Sequence, residues 1–140
     1  MEIQNIQEKD LHHLGELMAL AYGDEWTSAQ CERYLAKFFK FEPESCKMMV
    51  DEEGKAQGAI FAYSYYKKDQ LILFIQELFV DPNTRNSGLG KKLVSSLRES
   101  FTDNPRVKIT PLVNAPTSVL NFYNSLGFEA DTTSAFIYQS

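Results

Sequence analysis

The sequence predicts an α/β (α+β) fold, one domain over residues 1–140 with a sheet covered by helices on both faces. Three observations predict it. The segment Leu71–Asp81 is apolar at nearly every position, as in a central strand buried on both sides. Four other segments, beginning after Asp10, Thr27, Gly88 and Asn114, carry apolar residues at helical spacing. Turn residues separate these segments, and no repeat, linker or low-complexity stretch interrupts the series.

From the N-terminus, Glu2–Gln7 reads as a first strand through Ile3 and Ile6. Asp10 is expected to cap a helix whose face is Leu11, Leu14, Leu17, Met18 and Ala21. Gly23 stops that helix within the break Tyr22–Trp26. His12 and His13 fall in its first turn, in no metal or nucleophile spacing, and read as surface residues. Thr27 and Gln30 make a capping box for a second helix faced by Cys31, Tyr34, Leu35 and Phe38. Phe38, Phe39 and Phe41 crowd its end, either as packing or as the wall of a substrate pocket. Asp24 and Glu25 before it are either solvated acids or carboxylates that attract an amine.

Glu44–Glu52 and Ala56–Tyr66 form a hairpin about Glu53-Gly54. Tyr63, Tyr65 and Tyr66 either cover a sheet face or stack a ligand. Leu71–Asp81 follows, and Pro82 ends its pairing for want of an N–H. Leu89, Leu93, Leu97 and Phe101 give a third helix. Val107–Val113 is a strand interrupted at Pro111. Asn114 caps and Pro116 opens a fourth helix with Val119, Leu120, Tyr123 and Leu126, which Gly127 stops. Phe128–Tyr138 supplies one or two terminal strands, making six or seven in all.

Two features of this series carry chemistry. Strict alternation along Leu71–Asp81 puts Glu77 on a face with Ile75 and Phe79, where an unpaired carboxylate is costly. Burial would raise its pKa towards neutrality, as suits a general base; alternatively its side chain reaches a Lys, an Arg or the solvated sheet end. Beyond it, Arg85-Asn86-Ser87-Gly88-Leu89-Gly90-Lys91 opens a helix directly after a core strand. Backbone N–H groups and the helix dipole favour an anion there. A Walker loop would need Gly at Arg85 and Ser or Thr at Lys92, and a dinucleotide loop Gly at Leu93, so neither is present.

The net charge is −5 and the pI about 5.0. That balance argues against a nucleic-acid partner and leans towards a cationic small substrate. No apolar run of spanning length and no signal segment is present, so no membrane partner is expected. Cys31 and Cys46 form no metal spacing and read as thiols of a reducing, cytoplasmic compartment.

The segment Arg85–Gly90 resembles the acyl-CoA-binding motif of the GNAT superfamily of N-acetyltransferases, Q/R-x-x-G-x-G/A. The lead-in strand Glu77–Pro82 and the downstream Phe122–Phe128 (FYNSLGF) are similar to the family's other segments, in the same order, and the likeness covers nearly the whole chain. The resemblance implies a mixed, mostly antiparallel sheet splayed between Leu71–Asp81 and Val107–Val113, with acetyl-CoA in the opening and no metal. The pyrophosphate would take N–H groups from about Arg85 to Lys91, and the pantetheine arm would pair along Phe79 and Val80. Glu77 would be the general base and Tyr123 the general acid of direct acetyl transfer to a small-molecule or peptide amine. Relatives often carry Asn seven residues before the tyrosine, where Pro116 stands; Asn114 is the nearest asparagine, either touching the cofactor or serving only as a cap. The terminal strands offer an edge for a homodimer. Two alternatives remain: a non-catalytic module that holds acyl-CoA as sensor or structural ligand, and a nucleotide-binding protein of another fold.

Overall fold

The computed structural model describes residues 1–84, 88–109 and 117–129, with backbone alone for 117–120. The expectations for Arg85, Asn86, Ser87, Pro111, Asn114 and the terminal strands beyond Glu129 lie outside the described residues. Among the described residues, five strands form one sheet: β1 (Glu2–Asn5), β2 (Cys46–Val50), β3 (Ala56–Lys67), β4 (Gln70–Val80) and β5 (Arg106–Ile109). They lie side by side in sequence order; β4 and β5 are parallel and the other pairs antiparallel. The described residues also hold four α-helices: α1 (Leu11–Ala21), α2 (Ser28–Phe41), α3 (Leu89–Glu99) and α4 (Thr117–Ser125). Among the described residues, no helix is long and apolar enough to cross a membrane.

Local chemistry sets the helix ends. Thr27 Oγ1 accepts from the Gln30 N–H (3.1 Å) and Gln30 Oε1 from the Thr27 N–H (2.9 Å), the expected capping box. Such a cap is worth roughly 1 kcal/mol. Asp10 differs from expectation. Its carboxylate accepts from the Gln7 N–H (2.8 Å) and so closes the 3-10 turn Glu8–Asp10; it gives α1 no side-chain cap. α1 ends as a Schellman motif: Gly23 N–H donates to Leu20 O (3.1 Å) and Asp24 N–H to Ala19 O (2.9 Å). Gly23 (φ 65°) and Asp24 (φ 62°) are both left-handed, and Tyr22 is the C-cap residue just before them.

The sheet separates two apolar layers. On one side, Leu14, Met18, Cys31 and Leu35 of α1 and α2 pack on Phe61 and Phe79. On the other, Leu89, Leu93 and Leu97 of α3 pack on Ile60, Leu73, Ile75, Leu78 and Val80, with Phe122 and Tyr123 of α4 alongside. Each large apolar side chain so buried contributes roughly 1.5–3 kcal/mol. The first layer closes tightly at Gly15, where a Cβ would stand 2.9 Å from Glu32 N and Ser28 O. Cys31 and Cys46 are buried free thiols.

One expectation about β4 is overturned. Phe61 pairs with Glu77 but Ala62 with Ile75, so Gln76 is an extra residue, a β-bulge. Beyond it the alternation inverts. Leu78 and Val80 join Leu73 and Ile75 on the α3 side, and Phe79 lies on the α1–α2 side. Glu77 therefore does not share a face with Ile75. Unbulged, its carboxylate would be pressed into the α3 layer. Bulged, it meets two phenols of the α1–α2 layer, and hydrogen bonds to a charged group are worth ~1.5–3 kcal/mol each.

Candidate active site

Glu77 is partly buried in the second half of β4, and both its carboxylate oxygens are engaged. Tyr22, at the C-cap of α1, donates its hydroxyl to Oε2 at 2.7 Å. Tyr34 of α2 donates to Oε1 at 3.0 Å. The bulge residue Gln76 donates Nε2–H to the Tyr34 hydroxyl at 2.9 Å. Tyr34 thus gives its proton to Glu77 while receiving one from the neighbouring residue of the same strand. Trp26 links the two phenols. It stacks on Tyr22 (centroids 6.2 Å apart) and meets Tyr34 edge-on (5.2 Å), and Phe38 lies edge-on beyond Tyr34 (5.1 Å).

Burial pushes the Glu77 carboxyl above the ordinary glutamate range, and the two phenol donors pull against that rise by stabilising the anion. The phenols respond reciprocally. Burial, then the charge of Glu77, holds the Tyr22 hydroxyl well above the usual tyrosine range. Tyr34 is also raised, by burial first and the Glu77 charge next, while its Gln76 donor opposes the shift. Tyr123, from the opposite layer, is pushed up to about 12 by burial and by Glu77. Tyr123 is partly buried, edge-on to Phe122 (5.2 Å) and Phe128 (5.9 Å). The structure therefore brings Glu77 and Tyr123 into one electrostatic neighbourhood from opposite sides of the sheet.

The donor side follows from strand pairing. Among the described residues, β5 pairs β4 from Ile72 to Ile75, and β3 pairs it through to Val80. The Phe79 and Val80 side chains are buried in opposite layers, so at these positions only backbone is available to a pantetheine chain. Asp81 then turns the chain: its Oδ1 accepts from the Asn83 N–H (2.8 Å) and its backbone O from the Thr84 N–H (2.9 Å). Gly88, left-handed at φ 79°, is the N-cap of α3 and gives it no side-chain cap. The first intrahelical bond runs from Lys92 N–H to Gly88 O (3.1 Å), so among the described residues the amides of the first turn have no intrahelical partner, the usual setting for an anion. Leu89 is buried in the core and offers only its amide. Gly90 has a second use: a Cβ there would stand 2.9 Å from Phe122 Cζ, so its absence lets α4 approach α3. Lys91 is exposed.

The other candidates divide. Phe39 packs on the α1–α2 layer; Phe41 is exposed, edge-on to Tyr63, which stacks on Phe74 (5.3 Å). Tyr65 and Tyr66 are exposed, and the Tyr66 hydroxyl donates to Asp103. Asp24 and Glu25 are exposed. His12 and His13 are exposed beside Glu16 and Glu32, as surface residues. Two open grooves meet at Trp26. One of about 960 Å³ runs along α1 to the Glu53–Lys55 turn, and one of about 590 Å³ passes Arg33, Tyr34 and Lys37. The Glu77 carboxylate lines neither. Among the described residues, no group of three His, Cys, Asp or Glu is placed to hold a metal. Sequence reasoning missed Tyr22, Tyr34 and Gln76 as partners of Glu77. The available signals were a tyrosine beside the Gly23 helix stop and a second tyrosine in the capped helix that follows.

A family model for the acetyltransferase (GNAT) domain matches residues 43–130. No curated protein matches in sequence. Among solved structures, the aminoglycoside antibiotic 6'-N-acetyltransferase of Acinetobacter haemolyticus is similar with a TM-score of 0.78 at 14% identity, over 100% of this chain and 99% of that one. An acetyltransferase of Trypanosoma brucei gives 0.65 at 21% identity, over 99% of each chain. An aminoglycoside acetyltransferase from an uncultured soil metagenomic sample, solved with sisomicin, gives 0.70 at 22%, over 99% of this chain and 95% of that one. At these identities the likeness is one of fold.

Proposed function

The chain belongs to the GNAT acetyltransferase family, and from that premise we propose that it moves the acetyl group of acetyl-CoA to a primary amine by direct attack. The observation that carries this reading is the position of Glu77. A carboxylate with a raised pKa stands on β4, just beyond the described pairing with β5 and on the strand that leads towards the N-terminus of α3, to which the N-cap Gly88 gives no side-chain cap.

In this reading the amides of Gly88, Leu89, Gly90 and Lys91 receive the pyrophosphate, with Arg85, Asn86 and Ser87 assigned to the same cradle on sequence and Asn114 as a further contact. Helix-terminus charge interactions contribute ~0.3–1 kcal/mol each, so several amides act together. The pantetheine pairs along Phe79 and Val80. The acceptor nitrogen must lose a proton to become nucleophilic, and Glu77 is the group that takes it. The nitrogen lone pair then forms the C–N bond, and collapse of the tetrahedral oxyanion breaks the C–S bond, leaving the electron pair on sulfur. Tyr123 assists that departure. With its pKa pushed to about 12, its hydroxyl is a weaker acid than an ordinary thiol. Its role as general acid is therefore a hydrogen bond donated to the leaving sulfur, with the final proton coming from the amine by way of Glu77.

Two structural neighbours are described as acting on aminoglycosides, which makes polyamine-like antibiotics a reasonable part of the acceptor panel. The test is free-thiol release from acetyl-CoA with a panel of amines, peptide N-termini and aminoglycosides. Amine-dependent thiol release supports the enzyme. Thermal stabilisation by acetyl-CoA without it would instead mark a non-catalytic acyl-CoA-binding module.

A further inference from the structure

We propose that Tyr22 is a catalytic residue that carries the acceptor's proton to Glu77, and that Tyr34, braced by Gln76, is the positioning residue that holds the carboxylate for it. The inference rests on the acetyltransferase reading above.

The geometry separates the two phenols. Tyr34 Oη already accepts from Gln76 Nε2 while donating to Glu77 Oε1. Its proton and one lone pair are both engaged, which ties the carboxylate to the Gln76 side chain. Tyr22 also donates to the carboxylate, at 2.7 Å, but no described residue donates to its oxygen. The residue is 39% exposed at the end of α1, whereas Glu77 is partly buried; neither of them lines a groove, while Tyr34 lines the one that passes Arg33. A phenol whose hydrogen is committed inward and whose lone pairs remain available outward is placed to relay a proton between the outside and the carboxylate. The Schellman end of α1 supports the same role, because the C-cap position places the ring by backbone hydrogen bonds at Gly23 and Asp24. Stacking on Trp26 fixes its plane.

The step balances. An N–H proton of the acceptor moves to Tyr22 Oη as the Tyr22 hydroxyl proton moves to Glu77 Oε2, so the phenol ends as it began and the carboxylate is protonated. The freed nitrogen pair forms the bond to the acetyl carbon, the C–S pair stays with sulfur, and the proton on Glu77 returns by the same route to the thiolate or to water. The ionisable groups facing Glu77 are Tyr22 from the end of α1, Cys31 and Tyr34 from α2, and Tyr123 from α4.

The test compares wild type, Tyr22→Phe, Tyr34→Phe and Glu77→Gln with acetyl-CoA and the best acceptor of the amine panel, in mixtures of light and heavy water. Tyr22→Phe is expected to lower kcat about 10²-fold, within the span of general acid–base effects, with the KM for acetyl-CoA unchanged. The wild-type proton inventory should be curved, two protons moving together, and become linear in Tyr22→Phe. Tyr34→Phe should keep the curvature and shift the acidic limb of the pH profile upward, since the anion loses a donor. Should Tyr22→Phe fold poorly, fluorotyrosine at position 22 keeps the ring and hydroxyl; kcat must then track phenol acidity. If Glu77→Gln is slow while Tyr22→Phe turns over at the wild-type rate with the same curvature, the relay is overturned and the base assignment stands. If neither substitution slows turnover, both are overturned.

Discussion

The Tyr22 hydroxyl meets Glu77 Oε2 across 2.7 Å, joining the last turn of α1 to a strand residue 55 positions later in the chain. Because each helix end and strand bulge at this junction has its own cause, the junction can be probed piece by piece.

Glu77→Gln should separate activity from stability. Burial raises the folded-state pKa above the unfolded value, so the folded protein holds this proton to higher pH. Its favourable contribution is complete below the ordinary glutamate range and is lost as pH rises through the raised folded value. The variant loses one phenol hydrogen bond, which its amide NH2 cannot accept, but its thermal stability should no longer fall with pH through this group, while kcat at pH 7 falls by about 10²–10⁴-fold. Partial recovery of rate is expected as pH rises and more acceptor becomes neutral. A wild-type pH–rate profile would remove Glu77 from the base role.

Tyr123→Phe should lower kcat by about 10²-fold with little change in the KM for either substrate. With the phenol pushed up to about 12, it should put no descending limb in the profile below pH ~10. A limb near pH 9 that disappears in the variant would show that Tyr123 ionises during turnover.

Gly88→Glu should abolish acetyl-CoA binding measured by calorimetry. The residue is left-handed at φ 79°, a conformation that costs a non-glycine residue roughly 1–2 kcal/mol, and the new carboxylate would repel a pyrophosphate at the proposed site. Gly88→Ala carries the backbone cost without the charge, and no described atom lies within 4 Å of its Cβ. It should lose roughly the same stability but keep measurable affinity. Equal loss of binding in both would assign the effect to the backbone.

Gly15→Val should destabilise the protein by about 1–3 kcal/mol through overpacking, since the clash at 2.9 Å is with the Ser28 and Glu32 backbone. Urea unfolding measures this. Separation of α1 from α2 should also loosen the grip of Tyr22 and Tyr34 on Glu77, so kcat should fall further than the acetyl-CoA affinity.

Gly90→Ala tests packing against cofactor contact. Its Cβ meets the Phe122 ring tip, so the variant should lose about 1 kcal/mol or more, and Phe122→Leu should restore part of it. Lost acetyl-CoA affinity without lost stability would instead assign Gly90 to the cofactor.

Much of this was legible in the sequence because it is local. The Thr27–Gln30 box, the Gly23 stop and the turn at Glu53-Gly54 each depend on residues within a few positions, and all are found. Glu77 stood out because a carboxylate interrupted an apolar strand. Its face was misjudged because alternation assumes an unbroken ladder, and the insertion at Gln76 is decided by what lies across the sheet. Tyr22 and Tyr34 were hidden for the same reason. Their meeting with Glu77 depends on how two helices dock on β4, and no local pattern encodes a contact over 55 or 43 residues.

The sheet that divides the apolar residues into two layers also divides the protein's evolvability. Side chains under α1 and α2 share no cluster with those under α3 and α4, so substitutions in the two layers should combine nearly additively in unfolding free energy. In the proposed enzyme, acceptor preference can then diverge on the α1–α2 side while the α3–α4 side drifts independently. Glu77 is the exception, the residue at which changes on either side are felt by the other.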